Sequence, residues 1–274
     1  MTTYCYLNGK ILPLYKAGIS LRDIGILRGY GVFDFIRTYN GKLFAFKEHY
    51  MRLKNSAKIL NLKIPISEKE LKEVIKKLIS KNKMKESNIR MVLTGGESSD
   101  AITYHSSSFY ILIENPKIFY ESIYKKGIKL ITYEYLRSIP SAKTLDYIMA
   151  VKLQPLKKRQ KAFEILYTYK GNILEATTSN FFLFIKDTLI TPKENVLFGI
   201  TRQCVITLAK NIFKIEERQI SLKELESATE AFITSSNKEI VPVIKIDNKI
   251  IGNGKVGNNT KKLMQLFRTF TENY

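Results

Sequence analysis

The chain has 274 residues, 45% of them apolar, and a net charge of +20, so it can form one large domain or two modest ones with a sizeable core. No run of about 18 apolar residues occurs, and the start "MTTYCYLNGKILPLYKAG" lacks a basic segment leading an apolar block, so neither a membrane span nor a signal peptide is expected. The positive charge is spread along the chain with no aromatic-interleaved basic motif, which argues for solvated faces rather than a nucleic-acid or membrane-surface partner.

In chain order, "TYCYLNGKILP" reads as a hairpin turning at Asn8-Gly9, and "GVFDFIRTYNGKLFAF" as two extended runs joined at Asn40-Gly41. "KEHYMRLKNSAKIL" follows as a helix. "ISEKELKEVIKKLISKN" is the clearest helix, opened by a Ser67/Glu70 capping box and striped by Leu71, Val74, Ile75, Leu78 and Ile79. "NIRMVLTGG" and "SSFYILIENP" read as strands. Pro116 stops the second, which predicts an N-terminal α/β domain over 1–115, a connection over 116–124 and a larger domain over 125–274. There, "IKLITYEYL" is a strand and "DYIMAVKLQ" a helix interrupted near Pro155. "FEILYTY" and "ILEATTSNFFLFI" form a hairpin, "LFGITRQCVITLAKNIF" a turn into a helix, and "SLKELESA" a second capping box, Ser221 with Glu224. "EAFITSSNKEIVPVIKI" is a strand broken by a polar turn, and "IGNGKVGNN" reads as turns.

Two cysteines, Cys5 and Cys204, and two histidines, His49 and His105, make no disulfide framework and no zinc set; a reduced, cytoplasmic protein without metal is expected. Arginines are scarce beside lysines. Arg28, Arg37, Arg52, Arg90 and Arg202 therefore ask for a reason lysine would not serve, such as planar recognition of carboxylate or phosphate.

Four features ask for chemistry. Lys143, in "RSIPSAKTLDYIMA", is surrounded by Ile139, Pro140, Ala142, Leu145 and Ile148. Burial disfavours an ammonium and leaves a nucleophilic amine that can condense with an aldehyde. Taken alone, the local sequence favours the plainer reading, a lysine snorkelling to water. Glu175 precedes a small-residue run and an apolar strand, so it is either at an edge or buried with a partner. "GIT" (199–201) and "TSSN" (234–237) put hydroxyls where elements begin or end, as a phosphate cradle would; ordinary capping by Thr201 is the alternative. Arg52 is a phosphate clamp or a surface charge. A lysine, a carboxylate, an arginine and a phosphate cradle together describe pyridoxal 5′-phosphate.

The order of motifs resembles the class IV, fold-type IV pyridoxal-phosphate aminotransferases, which include branched-chain aminotransferases, D-amino-acid transaminases and aminodeoxychorismate lyases. The resemblance is carried by "RGYGVFDFIRTYNGKLFAFKEHYMRLKNSA", "LEATTSNFFLF", "GITRQCVI" and "ITSSNKEIVPV", nearly the whole chain. It implies a two-domain α+β/α/β fold with the cofactor between a small N-terminal and a larger C-terminal domain, and a homodimer. By resemblance, Lys143 holds the cofactor and shuttles the proton at Cα, and Glu175 pairs with the ring nitrogen. Arg52, Ile200, Thr201 and Ser236 hold the phosphate, and Tyr147 meets the 3′-oxygen.

Arg37 and Arg90 stand where branched-chain enzymes bind the side-chain carboxylate of glutamate, with Phe33 and Phe35 as apolar wall and Asn237 near the substrate. This implies a branched-chain L-amino-acid transaminase working with 2-oxoglutarate and glutamate. Arg28 near the mouth, and Asn88 in place of a tyrosine, keep a D-amino-acid transaminase open. A lyase fits less well, since Thr144 follows the lysine where lyases carry His. A non-enzymatic basic binding protein comes last.

Overall fold

The computed structural model describes residues 3–274; Met1 and Thr2, where the leader reading starts, lie outside them. The chain divides into two compact units: one runs up to Lys117 and adds 142–147 and Tyr274, and the other holds 118–141 and 148–273. The division is not sequential. Segment 142–147, expected within 125–274, belongs to the first unit.

The first unit contains β1 (Tyr4–Leu7), β2 (Lys10–Pro13), α1 (Ile24–Arg28), β3 (Gly31–Tyr39), β4 (Lys42–Leu43), α2 (Phe46–Ile59), α3 (Glu68–Lys81), β5 (Asn88–Thr94) and β6 (Ser108–Glu114). Among the described residues these strands form an antiparallel sheet in the order β2-β1-β6-β5-β3-β4. β3 alternates as a strand with two distinct faces must: Val32, Asp34, Ile36 and Thr38 are buried, while Phe33, Phe35, Arg37 and Tyr39 are half-buried on the opposite side. Helix α3 has the expected capping box and buries Leu71, Ile75 and Leu78 completely, worth about 1.5–3 kcal/mol each.

Because β4 pairs only with Thr38 and Tyr39, the start of β3 has a free edge, and residues 142–147 fill it. Phe33 N–H donates to Lys143 O at 2.9 Å, Leu145 N–H donates to Gly31 O at 2.9 Å, and Val32 lies opposite Thr144. The approach needs Gly31: a Cβ there would meet Leu145 Cδ1 at 2.6 Å and Leu93 O at 2.7 Å. Tyr274 also packs in this unit, its ring 4.8 Å from that of Phe44 and its hydroxyl accepting Ala45 N–H at 2.9 Å.

The second unit contains α4 (Ser122–Lys126), β7 (Ile128–Glu134), α5 (Ile148–Lys152), α6 (Gln154–Arg159), β8 (Glu164–Tyr169), β9 (Asn172–Ala176), β10 (Asn180–Ile185), β11 (Thr188–Thr191), α7 (Ile200–Ala209), β12 (Lys214–Glu217), β13 (Ile220–Ser221), β14 (Glu230–Ser235), β15 (Glu239–Ile246), β16 (Lys249–Ile250) and α8 (Asn258–Glu272). Its mixed sheet runs β12-β11-β10-β14-β15-β7-β8-β9-β13, with β16 beside β15. One apolar cluster gathers Ile128, Leu130, Phe181, Leu183, Ile233 and Val243; another gathers Ile131, Leu153, Ile165, Tyr167 and Leu174.

Several local expectations change here. "ILEATTSNFFLFI" is two strands, because the chain turns at 177–179 and Ala176 N–H donates back to Ser179 O at 2.7 Å. "SLKELESA" forms only a short 3-10 helix, Leu222–Glu226, under its capping box. Pro155 sits in the first turn of α6, where its missing N–H costs nothing, so the expected interruption starts a new helix. Helix α8 has no counterpart among the expectations above; Leu263 and Phe267, four apart, are buried on one face. Among the described residues no helix is long and apolar enough to cross a membrane.

Candidate active site

In the first unit, Lys143 is fixed by its backbone on both sides. Its carbonyl accepts from Phe33, and its N–H donates to Ser56 Oγ at 3.1 Å. Its amine stands over the half-buried face of β3, 4.3 Å from the centre of the Phe33 ring, and donates to Tyr147 Oη at 3.4 Å. The Phe33 and Tyr147 rings meet edge-on at 5.6 Å. Two of the expected site residues, the wall residue Phe33 and Tyr147, thus lie beside the lysine, one on a neighbouring strand and one in its own loop.

Asp34 faces away from Phe33 on β3, and Arg52 of α2, the helix whose Ser56 meets the Lys143 N–H, donates to it from Nε to Oδ2 and from Nη2 to Oδ1, both at 2.8 Å. His49 Nδ1 lies 2.6 Å from the same Oδ1. Burial pushes the Asp34 carboxyl up, but Arg52 and His49 outweigh it and hold it well below the usual carboxylate range. Burial pushes His49 down, against the pull of Asp34, so it is a neutral ring donating from Nδ1. Its buried Nε2 has no partner. Arg52 keeps Nη1, which makes no hydrogen bond among the described residues, as the part free to meet an anion. Asp34 and His49 were not among the expected site residues. The legible signal was a carboxylate on the inward face of "GVFDF", where an unpaired charge would not persist.

The other arginines differ. Arg37 lays its guanidinium 4.8 Å from the Tyr39 ring centre. Arg90 is clasped by Glu114. Arg28 is exposed at the end of α1 and donates to Leu27 O at 2.9 Å.

In the second unit, Glu175 is buried near the end of β9. Arg137 approaches its Oε1 with Nε at 2.8 Å and Nη2 at 2.7 Å, and Leu197 N–H donates to Oε2 at 2.9 Å. Arg137 also donates to Pro140 O at 2.5 Å. It went unpredicted although it stands six residues before Lys143. The turn after Glu175 is organised by buried Glu164, which accepts from Thr177 Oγ1 at 3.0 Å, Thr178 N–H at 2.5 Å and Ser179 Oγ at 3.0 Å. Lys238 donates to the same carboxylate at 2.8 Å and to Thr178 Oγ1 at 2.6 Å. Burial pushes Glu164 up, and Lys238 with the hydrogen bonds of Thr178 brings it below its ordinary value. This pair ties the turn 177–179 to the turn 236–238, which carries Ser236 and Asn237, both half-buried.

Helix α7 begins at Ile200 with Gly199, not Thr201, as its N-cap, and no side chain caps it. Its first N–H groups, including those of Ile200 and buried Thr201, have no intrahelical acceptor. Gly199 is required by closeness: a Cβ would sit 2.1 Å from Asn180 Oδ1. Beyond β14, Thr234 Oγ1 is buried without a partner.

The family model for amino-transferase class IV matches residues 31–246. The chain belongs to the class IV aminotransferases. A Methanocaldococcus jannaschii protein carrying a provisional branched-chain-amino-acid aminotransferase name is 35% identical, over 96% of this chain and 94% of its own. The D-alanine aminotransferase of Bacillus licheniformis is 30% identical over 93% of each. Among solved structures, the T.th. branched-chain amino acid aminotransferase with pyridoxamine 5′-phosphate superposes with a TM-score of 0.92 at 26% identity, covering 100% of this chain and 95% of that one.

The protein is thus a pyridoxal-phosphate-dependent transaminase of fold type IV, and its substrates are an amino acid and a 2-oxo acid. The residues present suit that cofactor. The class IV chain offers an amine over apolar rings, a buried carboxylate held at both oxygens, a helix N-terminus without a cap, and an arginine with one nitrogen unspent.

Proposed function

We propose that this aminotransferase moves the amino group between branched-chain L-amino acids and 2-oxoglutarate, with glutamate as the other amino acid. The supporting observation is the pattern on one face of the first unit's sheet. Lys143 stands over Phe33, Phe35 lies one step along the strand with Arg90 beside it on β5, and Arg37 lies one step further, so an amine, an apolar wall and two cations share this face. The relative from M. jannaschii named above supports the same reading.

The cofactor supplies an aldehyde that takes up an amino group and a ring that accepts the electrons released at Cα. In this reading Lys143 Nζ carries the proton at Cα, with Tyr147 Oη orienting the amine. Glu175, backed by Arg137, meets the ring nitrogen. Arg52 Nη1, the amides of Ile200 and Thr201, and Ser236 hold the phosphate. Asn237 faces the substrate. A homodimer belongs to the same reading, on the resemblance to the class IV enzymes. Two free cysteines fit a cytoplasmic protein.

A D-amino-acid transaminase is the second reading, favoured by the B. licheniformis relative and by Asn88 beside Arg90. The test is a half-reaction panel: cofactor-loaded protein mixed separately with L-leucine, L-glutamate, D-alanine and D-glutamate, followed by absorbance. Conversion by L-leucine and L-glutamate is expected; conversion by D-alanine without L-leucine overturns the reading. Lys143→Ala is expected to lose the cofactor adduct that borohydride fixes to the wild-type protein.

A further inference from the structure

The far end of this face carries a pair of opposite charges rather than a lone cation. Arg90 of β5 donates from Nε to Glu114 Oε1 at 2.9 Å and from Nη2 to Glu114 Oε2 at 3.0 Å. In the β5–β6 register Arg90 lies opposite Leu112 and Glu114 opposite Asn88, so the two are diagonal neighbours on one face. Phe35 is the direct partner of Arg90 on β3, and its ring centre lies 5.2 Å from the guanidinium carbon. Phe35, Arg90 and Glu114 therefore line up across three strands, on the face over which the Lys143 amine stands.

This two-point clasp is the geometry in which a guanidinium would receive a substrate carboxylate. Glu114 now takes both positions. The side chains are 37% and 35% exposed, so the pair is wet enough to open.

We propose that Glu114 is a specificity-determining residue, an internal substitute for the side-chain carboxylate of a dicarboxylic substrate. It stays closed on Arg90 while an apolar side chain occupies the pocket and is displaced when a dicarboxylate binds. The inference rests on the functional reading above, in which one pocket alternates between the two side-chain types. A permanently free guanidinium would place an uncompensated charge beside the apolar substrate. A permanently neutral wall would leave the dicarboxylate unpaired. A displaceable carboxylate meets both demands.

The test compares the holoenzyme with Glu114→Gln, Glu114→Ala, Arg90→Gln and the Glu114→Gln/Arg90→Gln double variant. Glutarate and 4-methylvalerate serve as unreactive dicarboxylic and monocarboxylic probes in calorimetric titrations. KM and kcat are measured in parallel for L-glutamate and L-leucine. Glu114→Gln is expected to tighten glutarate about threefold to fivefold, the size of an exposed ion pair, and to weaken 4-methylvalerate. KM for the two amino acids is expected to move in the same opposite directions. In the Arg90→Gln background the gain for glutarate should vanish. Glutarate affinity that is unchanged in both Glu114 variants, a shift of both probes in one direction, or no glutarate binding to any of the proteins overturns the proposal. Turnover of D-alanine without L-leucine would instead overturn the functional reading, and the glutarate titrations would still decide the role of Glu114.

Discussion

Arg137 holds one oxygen of Glu175 with two nitrogens, at 2.8 and 2.7 Å, and the Leu197 N–H donates to the other at 2.9 Å. Arg137→Met removes a charge-assisted clasp whose bonds are worth about 1.5–3 kcal/mol each. Pyridoxal-phosphate affinity, measured by fluorescence titration of the apoprotein, is expected to fall about tenfold to a hundredfold, with partial recovery in Arg137→Lys. Wild-type affinity in Arg137→Met would remove Arg137 from the site.

Asp34 makes a prediction about pH. Its carboxyl titrates below the ordinary range when folded, so its stabilisation is present above that range and is lost as pH falls through the folded value. Wild-type stability should therefore drop below about pH 4, and Asp34→Asn should be flatter there. At neutral pH the variant should be less stable by about 3 kcal/mol or more, since the half-buried Arg52 cation and the buried His49 ring lose their anion. Denaturant melts at pH 3 to 7 measure both effects; parallel pH profiles for the two proteins would contradict them.

For Lys238 the relevant control is a double substitution. Lys238→Met leaves Glu164 buried without its cation and is expected to cost about 3–5 kcal/mol. Adding Glu164→Gln should return much of that loss, because the charge is then gone from both sides. A double variant as unstable as the sum of the singles would rule out direct coupling.

Gly31→Ala tests the seating of the lysine. The added methyl would crowd Leu93 O, a backbone atom, and Leu145 Cδ1. About 1–3 kcal/mol of stability should be lost. A displacement of Lys143 of about 1 Å is expected to lower kcat about a hundredfold. Equal kcat in the variant would mean that the segment tolerates the shift.

How much of this was legible varied with the distance along the chain over which each feature is decided. The alternation of "GVFDFIRTY" and the box of Ser67 and Glu70 are local, and both appear as read. Lys143, Glu175 and Arg52 stood out because motif order marked them. Their partners did not. Arg137 and Glu175 are 38 residues apart, Arg90 and Glu114 24, and Glu164 and Lys238 74. Each pair is made by strand register or by a loop or turn meeting a strand, which no sequence window contains. Thr201 was weighed as a cap because hydroxyl residues favour that position, but the close approach of Asn180 demands glycine there, and the helix starts one residue before the threonine.

The edge position of residues 142–147 also bears on how the protein is made. As the chain leaves the ribosome, the strands of the first unit are complete at Glu114, yet the edge of β3 stays bare until Lys143 and Leu145 have been synthesised. Until then Gly31 and Phe33 present unpaired backbone groups, an invitation to pair with another nascent chain. A truncated product ending near Lys117 would carry that open edge permanently. The residue that marks the enzyme's chemistry therefore sits in the segment that covers this edge of the first unit's sheet.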